Sequence, residues 1–178
     1  MKIVGISGWR GNGKTTLANL LAIKHGYQRV SFAEPLKALA KQVFPFDDVD
    51  LTSPKRKEQK WRGHDWSPRE FLVNLGEFAR FHEPSIWLNK GISQCKDADG
   101  KYVFDDVRYF NEADAIKALG GKLIRLNRYE KDNPYGKHLT ITSETQLDDY
   151  KFDMIIHEFD NKDIPDLRKR ADKIEELW

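Results

Sequence analysis

The feature that most constrains this chain is a glycine-rich stretch near its N-terminus. Residues 8–16 read G-W-R-G-N-G-K-T-T and directly follow an apolar run at residues 3–6. A triphosphate has to be wrapped by backbone N–H groups, and only a glycine-rich turn can point several of them inward together. The pattern G-x-x-x-x-G-K-[ST] between a strand and a helix therefore predicts a phosphate-binding loop and a nucleoside triphosphate ligand. The complete pattern disfavours a turn that binds nothing.

The residue types within this loop suit separate tasks. Lys14 opens a predicted helix whose N-terminal dipole favours anions, and its ammonium would reach the β- and γ-phosphates. The Thr15 hydroxyl would bind Mg²⁺. The residues expected to hold the nucleotide are Gly8, Arg10, Gly11, Asn12, Gly13, Lys14, Thr15 and Thr16.

Length and charge narrow the class of protein. A chain of 178 residues can bury one good core, so we expect a single domain with insertions. Its 30 basic and 28 acidic residues give a net charge of +2, too even for a protein that coats nucleic acid or an anionic membrane. The single cysteine, Cys95, excludes an intramolecular disulfide and a cysteine-based zinc site. Without a signal-peptide pattern or an apolar stretch of membrane-spanning length, we expect a soluble, cytoplasmic protein.

Apolar runs alternate with helical patterns, which predicts an α/β fold with a parallel sheet and helices on both faces. Strands are expected at residues 2–7, 29–32, 102–105, 122–126 and 154–157, and helices at 14–25, 111–119 and 164–177. We assign residues 1–33 and 101–178 to the core and about 34–100 to a helical insertion. Residues 127–142, rich in Lys, Asn, Gly and Pro, have the composition of a short lid. Capping boxes predict helix starts at Ser67 and Ser143.

Charged residues follow the predicted strand 102–105 at the edge where α/β sheets bind ligands. Asp105, Asp106 and Arg108 offer two carboxylates and a guanidinium there. We favour Asp106 over Asp105 as the carboxylate on the Mg²⁺ side, and Arg108 as a fork onto a phosphate. The alternative is an acidic cap for the next helix followed by an exposed arginine.

Within the insertion, residues 68–82 have apolar side chains at helical spacing on one face. Arg69, Gly76 and Arg80 share another face. At 1.5 Å rise per residue the two arginines are about 16 Å apart along the helix, so we expect them to serve different groups. Gly76 costs about 1 kcal/mol of helix propensity relative to alanine. This cost indicates either a ligand that approaches closely or a neighbouring helix that packs there.

Two further groups of cations have alternative interpretations. Basic and aromatic residues interleave at Lys55, Arg56, Lys57, Lys60, Trp61, Arg62 and Trp66. Such a segment can be a platform for single-stranded nucleic acid, but the even overall charge favours a mobile, solvated loop that attracts phosphorylated substrates. The lid candidate offers Arg125, Arg128, Lys131, Lys137 and His138. Of these we expect Arg128, at the strand end, to stabilise a transferred phosphoryl group.

Taken in order, several segments resemble the bacteriophage deoxynucleoside monophosphate kinases, a branch of the P-loop nucleoside-monophosphate kinase group. They span nearly the whole chain. The matching segments are residues 8–16; F-A-E-P-L-K at 32–37; S-P-R-E-F-L at 67–72, with L-G-E at 75–77 and Arg80; Trp87; D-V-R-Y at 106–109, with N-E-A at 111–113; G-G-K-L-I-R at 120–125; and S-E-T at 143–145.

The resemblance implies Mg²⁺-dependent transfer of the γ-phosphoryl group of ATP to a deoxynucleoside 5′-monophosphate, in the host cytoplasm if the chain is phage-encoded. Whether the chain forms a homodimer stays open from the sequence. The resemblance also implies roles for particular residues. Thr15 and Asp106 would lie near Mg²⁺, and the catalytic residues would be Lys14, Asp106, Arg108 and Arg128. The acceptor phosphate would be held by Lys37, Arg69, Arg80 and Arg108, while Phe32 and Trp87 would stack on its base or wall it in.

Two other classes of function remain open from the residues. A different small-molecule P-loop kinase, acting on a coenzyme or sugar hydroxyl, would keep Lys14 but would need a base such as Asp106 near the acceptor. A nucleotide-dependent switch or nucleic-acid-binding module would use the nucleotide only to change shape. The modest net charge disfavours this second alternative, and we expect small-molecule substrates and no stable complex with nucleic acid.

Overall fold

A computed structural model describes residues 1–127, 146–157 and 164–178 of the chain. Its contacts divide the chain into a sheet unit, residues Met1–Ser31 with Cys95–Trp178, and a helical unit, residues Phe32–Gln94. None of the helices within the described residues is both long enough and apolar enough to cross a membrane.

The sheet unit contains five strands and three described helices. They are β1 (Lys2–Ser7), α1 (Lys14–His25), β2 (Gln28–Val30), β3 (Lys101–Phe104), α6 (Phe110–Ala118), β4 (Lys122–Asn127), β5 (Met154–His157) and α7 (Ile164–Glu175). The strand order is β2-β3-β1-β4-β5, and every neighbouring pair is parallel. The carboxyl ends of all five strands therefore meet at one edge, which is the edge that carries the phosphate-binding loop.

Helices cover both faces of this sheet, as the sequence predicts. On one face, Val4, Ile6 and Leu126 belong to a buried cluster with residues of α1 and α7. On the other face, a Cβ at Gly5 would meet the side chains of Leu123 of β4 and Ile116 of α6. Strands buried on both faces have near-continuous apolar sequences, which is why β1 is apolar from residue 3 to residue 6.

β1 and β5 have the expected bounds, and the boundaries of the other three strands differ by one or two residues. The largest difference is at β2, which ends at Val30 rather than at Phe32. This strand lies at the sheet edge, and Gln28 and Arg29 are exposed, so its sequence has only a weak strand pattern. The expected helix start at Ser143 and residues 128–142 of the lid candidate lie outside the described residues.

The helical unit is built from four α-helices and one turn of 3₁₀ helix. They are α2 (Glu34–Val43), α3 (Asp48–Thr52), the 3₁₀ turn (Arg56–Glu58), α4 (Pro68–His82) and α5 (Ile86–Ile92). The capping box at Ser67 is present: the backbone N–H of Glu70 donates to the Ser67 side chain, and the Glu70 carboxylate accepts from the Ser67 backbone N–H. This reciprocal pair fixes the start of α4 where the sequence predicts it.

An aromatic cluster forms the core of the helical unit and corrects the interpretation of residues 55–66. Trp61 is buried, packs edge-on to Phe44 and Phe46, and donates from Nε1 to the buried carboxylate of Asp50. Trp66 packs against the same cluster. Trp61 is a core residue and Trp66 is partly buried against it, so the two indoles do not form an exposed stacking platform. The basic residues Lys55, Arg56, Lys60 and Arg62 around them are exposed. The basic side chains around them hid this pattern in the sequence.

Candidate active site

The phosphate-binding loop runs from the end of β1 to the start of α1. Its glycines Gly8, Gly11 and Gly13 all have positive φ angles, of 147°, 82° and 81°. At Gly8 a side chain is also excluded by space, because a Cβ would lie 2.6 Å from the backbone oxygen of Leu126 in β4. The start of the loop therefore packs directly on β4, and this contact fixes the position of Gly8 relative to that strand.

Lys14 lies across this loop. Its Nζ donates to the backbone oxygens of Gly8, at 2.6 Å, and Trp9, at 3.0 Å. Thr15 and Thr16 are exposed in the first turn of α1, which contains no acidic residue. The positive end of the helix dipole, the ammonium and the loop N–H groups thus act together without a competing carboxylate in that turn, which is the electrostatic requirement for binding an anion.

Asn12 ties the loop to the same strand. Its Nδ2 donates to the Leu126 backbone oxygen at 2.8 Å, and the residue is only 2% exposed. Among the described residues, the buried Oδ1 atom of Asn12 has no hydrogen-bond partner. The amide is therefore oriented by its donor side.

Asp106 follows β3, which pairs with β1, so it lies at the same sheet edge as the loop. Its Oδ2 accepts a hydrogen bond of 2.6 Å from the Ser31 hydroxyl. Asp105 instead forms an ion pair with Arg29, at 2.8 Å between Oδ2 and Nη2. The two neighbouring carboxylates therefore have different partners: Arg29 lies in β2, and Ser31 is the next residue after that strand.

The helix after these carboxylates is capped by a different residue. The N-cap of α6 is Tyr109, and the Glu112 carboxylate, 3% exposed, accepts from the backbone N–H groups of Arg108 and Tyr109 at 2.8 and 3.1 Å. The alternative in which Asp105 or Asp106 caps this helix is therefore wrong. Arg108 is held at the helix start by its backbone, with its side chain half-buried.

A cavity of about 340 Å³ lies beside the loop. Its lining residues come from the loop, from β4 and from residues 148–155: Trp9, Asn12, Arg125, Asn127, Asp148, Tyr150, Phe152 and Ile155. Burial, and then the hydrogen bond from the Tyr150 hydroxyl to Asp114, raise the pKa of Tyr150 to about 12. That phenol is therefore protonated at neutral pH.

Arg125 was grouped with the lid, but it belongs to β4 and is 5% exposed. Its guanidinium donates to Ser7 Oγ at 3.1 Å, to Asn127 Oδ1 at 3.2 Å and to Asp148. A charge this deeply buried needs such partners. The available sequence signal was an arginine inside an otherwise apolar strand, which indicates a buried ion pair but does not identify Asp148.

Three of the cations expected to bind the acceptor lie in the helical unit, each beside a glutamate. Lys37 pairs with Glu34 at 3.2 Å, Arg80 pairs with Glu77 at 3.3 Å, and Arg69 pairs with Glu58. Arg69 and Arg80 thus contact different partners along α4.

Two of the expected acceptor residues, Arg80 and Trp87, lie next to Gly76. Nε1 of Trp87 donates to the Gly76 backbone oxygen at 3.2 Å, and a Cβ at Gly76 would lie 3.2 Å from Arg80 Nη1 and 3.3 Å from Leu36 Cδ2. Helix packing therefore accounts for this glycine. Trp87 and Phe32 are 4% and 2% exposed, and Phe32 packs on Gly91 of α5. Their expected contacts with a base stay predictions, and Arg128 lies outside the described residues.

Comparison with known sequences finds a viral relative. A protein of Acanthamoeba polyphaga mimivirus named "Putative deoxynucleotide monophosphate kinase" is 33% identical over 146 residues, which cover 72% of this chain and 75% of the viral protein. No model of a protein family matches the chain.

Comparison with solved structures finds kinases. A "putative kinase" from Chloroflexus aurantiacus superposes with a TM-score of 0.55 at 11% identity, covering 99% of this chain and 94% of the other. The dephospho-CoA kinase from Campylobacter jejuni gives 0.50 at 16% identity, covering 99% and 96%. The shikimate kinase from Acinetobacter baumannii, in complex with shikimate, gives 0.51 at 13% identity, covering 99% and 91%. At these identities the likeness concerns the fold, which is that of the P-loop kinases.

Proposed function

The chain belongs to the same family as that viral deoxynucleotide monophosphate kinase, and we propose that it transfers the γ-phosphoryl group of ATP to a deoxynucleoside 5′-monophosphate, giving a diphosphate. The observation that carries this proposal is the pairing of β1 with β3, which brings a complete phosphate-binding loop and Asp106 to the same sheet edge. A phosphoryl donor and the metal that accompanies it need these two elements together.

The donor would bind to the loop and the first turn of α1. Backbone N–H groups from Gly8 to Gly13 would surround its phosphates, and the Lys14 ammonium would exchange the carbonyls of Gly8 and Trp9 for phosphate oxygens. The remaining donor contacts are assigned to Arg10, Asn12, Thr15 and Thr16. This assignment requires no change in the secondary structure around the loop.

The metal site would be formed by Thr15 and Asp106. A hydroxyl and a carboxylate are the hard oxygen ligands that Mg²⁺ takes, together with waters and substrate phosphates. Thr15 is exposed, and Asp106 is oriented by the Ser31 hydroxyl, so the residues present fit this ion. When bound, Mg²⁺ would neutralise charge on the phosphates.

The acceptor phosphate is assigned to Lys37, Arg69, Arg80 and Arg108, and its base to the neighbourhood of Phe32 and Trp87. Each of the three cations in the helical unit is paired with a glutamate, and an incoming phosphate would compete for it. Phosphoryl transfer depends on positioning and charge stabilisation, and a phosphate acceptor is ionised at neutral pH, so no strong base is required. Arg128 is assigned to the transferred group.

The test is ADP formation in a coupled assay with Mg²⁺-ATP, each of the four deoxynucleoside monophosphates and their ribose counterparts. Lys14→Ala is the blank, and the exposed Lys96→Ala is its matched control. We expect turnover that depends on the acceptor, is lost in the Lys14 variant and is kept in the Lys96 variant. Binding of ATP without acceptor-dependent turnover would contradict the proposal and direct the search to coenzyme and sugar hydroxyls.

A further inference from the structure

The second residue of the phosphate-binding loop is attached to a segment far along the chain. Nε1 of Trp9 donates to Oδ1 of Asp148 at 3.1 Å. Asp148 lies in the turn at residues 146–149, ahead of β5. The loop is therefore held from outside its own strand and helix.

The same carboxylate oxygen also reaches the start of the loop. Oδ1 of Asp148 accepts from the Arg125 guanidinium, which in turn donates to the hydroxyl of Ser7, the residue directly before Gly8. Asp148 thus contacts Trp9 directly and Ser7 through Arg125. Asn12 ties the far side of the loop to the Leu126 backbone, so the loop is fixed at three points.

These ties matter because the loop itself is conformationally free. Glycines lose more conformational freedom than any other residue when a single conformation is imposed, and the loop contains three of them. A ligand that has to order the loop spends part of its binding free energy on that ordering. Trp9 and Arg10 are the two residues between Gly8 and Gly11, so an anchor on Trp9 restrains the stretch between these glycines.

We propose that Asp148 is a positioning residue for the donor nucleotide: by accepting from Trp9 it holds the phosphate-binding loop in its binding conformation. This inference rests on the proposed function for the identity of the donor. It concerns only the loop, so it is tested by binding of the donor without any acceptor. Its failure is therefore read from binding, whereas failure of the proposed function is read from acceptor-dependent turnover.

The variants distinguish loss of the hydrogen bond between Trp9 and Asp148 from a loss of general stability. Trp9→Phe removes the N–H donor together with part of the indole ring, and it leaves the ion pair between Arg125 and Asp148 intact. Asp148→Asn keeps an oxygen that can accept from Trp9, whereas Asp148→Ala removes it and leaves the buried guanidinium short of a partner, which lowers the melting temperature. Asp149→Asn changes the same charge at the adjacent exposed position and is the matched control.

The measurement is the Kd of a non-hydrolysable ATP analogue with Mg²⁺ by titration calorimetry, followed by KM for each substrate. Trp9→Phe and Asp148→Ala are each expected to weaken the donor by about threefold to tenfold, the size of one hydrogen bond. The double variant should bind the donor as well as the single variant with the lower affinity does, because both changes break the same hydrogen bond. Asp148→Asn should keep most of the donor affinity. In all of these variants the acceptor KM should stay within about twofold of its original value.

An unchanged donor Kd in Trp9→Phe would overturn the proposal, as would effects that multiply in the double variant. An equal rise in both KM values would also overturn it, because a general loosening of the active site weakens the binding of both substrates alike. Absence of any donor binding by the unmodified chain would overturn it together with the proposed function.

Discussion

The hydroxyl of Ser31 donates a hydrogen bond of 2.6 Å to Oδ2 of Asp106. Ser31 is the first residue after β2, and Asp106 is the second residue after β3. Because these two strands pair in parallel, the two side chains lie close together. A hydrogen bond to one carboxylate oxygen orients the other, and an oriented carboxylate is what a magnesium-bound donor requires.

We expect Ser31→Ala to lower kcat by about tenfold, because a hydrogen bond to a charged group is lost without removal of that group. The donor Kd measured without Mg²⁺ should not change. Ser31→Thr keeps the hydroxyl and is the control. Equal losses in the alanine and threonine variants would show that the size of the side chain matters and not the hydrogen bond.

Gly8 and Gly26 both have positive φ angles, of 147° and 73°. Both require a backbone conformation that costs a non-glycine residue about 1–3 kcal/mol. An added Cβ at Gly26 meets nothing within 4 Å, whereas at Gly8 it meets the Leu126 backbone oxygen at 2.6 Å. We therefore expect Gly8→Ala to lower the free energy of unfolding more than Gly26→Ala does, and only Gly8→Ala to abolish donor binding. Urea denaturation and titration calorimetry measure the two effects, and equal losses of stability would contradict the close approach of the loop to β4.

The sheet could be predicted from the sequence because its central strands are buried on both faces. β1 has an unbroken apolar run at residues 3–6, and β4 has Leu123, Ile124 and Leu126 around the single charge of Arg125. The expected bounds of the short edge strand β2 are shifted from the observed ones, because Gln28 and Arg29 are exposed and give no such apolar signal. Burial therefore helps to locate a strand, although β5 is found at its expected bounds with Ile156 as its one buried residue.

The site was predictable where it is local in sequence. The loop is a contiguous motif, so its residues can be named from the sequence, and their contacts with a nucleotide stay predictions. Trp61 was misread because its burial depends on Phe44 and Phe46, which lie on another part of the helical unit. The sequence groups Arg125 with the lid rather than with a buried ion pair, because its partner Asp148 is 23 residues away and no spacing rule joins the two. Contacts between distant segments are what one sequence does not contain.

Gly76 tests whether the Arg80 guanidinium is used for the acceptor. In Gly76→Ala the new Cβ would lie 3.2 Å from Arg80 Nη1 and 3.3 Å from Leu36 Cδ2, so both have to move by a few tenths of an ångström. Alanine gains about 1 kcal/mol of helix propensity, which offsets this crowding. We expect the melting temperature to change little and the acceptor KM to rise by about tenfold, because a displaced guanidinium loses its phosphate geometry.

The control for this variant is Asn74→Ala, an exposed position on the same helix. It should leave both substrate constants unchanged. A Gly76→Ala protein with normal acceptor KM would remove Arg80 from the acceptor site and leave Gly76 as a packing residue alone.

Glu175 gives the fold a defined acid sensitivity. Burial alone would raise the pKa of its carboxyl, but hydrogen bonds from Lys101, Lys2 and Tyr27 lower the pKa to about 2. Because the pKa is lower in the folded than in the unfolded chain, this carboxylate stabilises the fold fully above its unfolded pKa of about 4.3, and the contribution is lost as the pH falls from there towards 2.

We therefore expect the free energy of unfolding of the unmodified chain to fall between about pH 5 and pH 2, and Glu175→Gln to remove a measurable part of that slope while lowering stability at pH 7. The adjacent exposed Glu176→Gln is the matched control and should keep the slope. Urea denaturation at half-unit steps of pH measures it. Only a difference in the pKa of Glu175 between the folded and unfolded states makes the free energy of unfolding depend on pH through this group. Parallel plots of that free energy against pH for the unmodified chain and Glu175→Gln would therefore contradict the prediction. They would mean that these hydrogen bonds also form in the unfolded chain, or that they do not stabilise the ionised carboxylate.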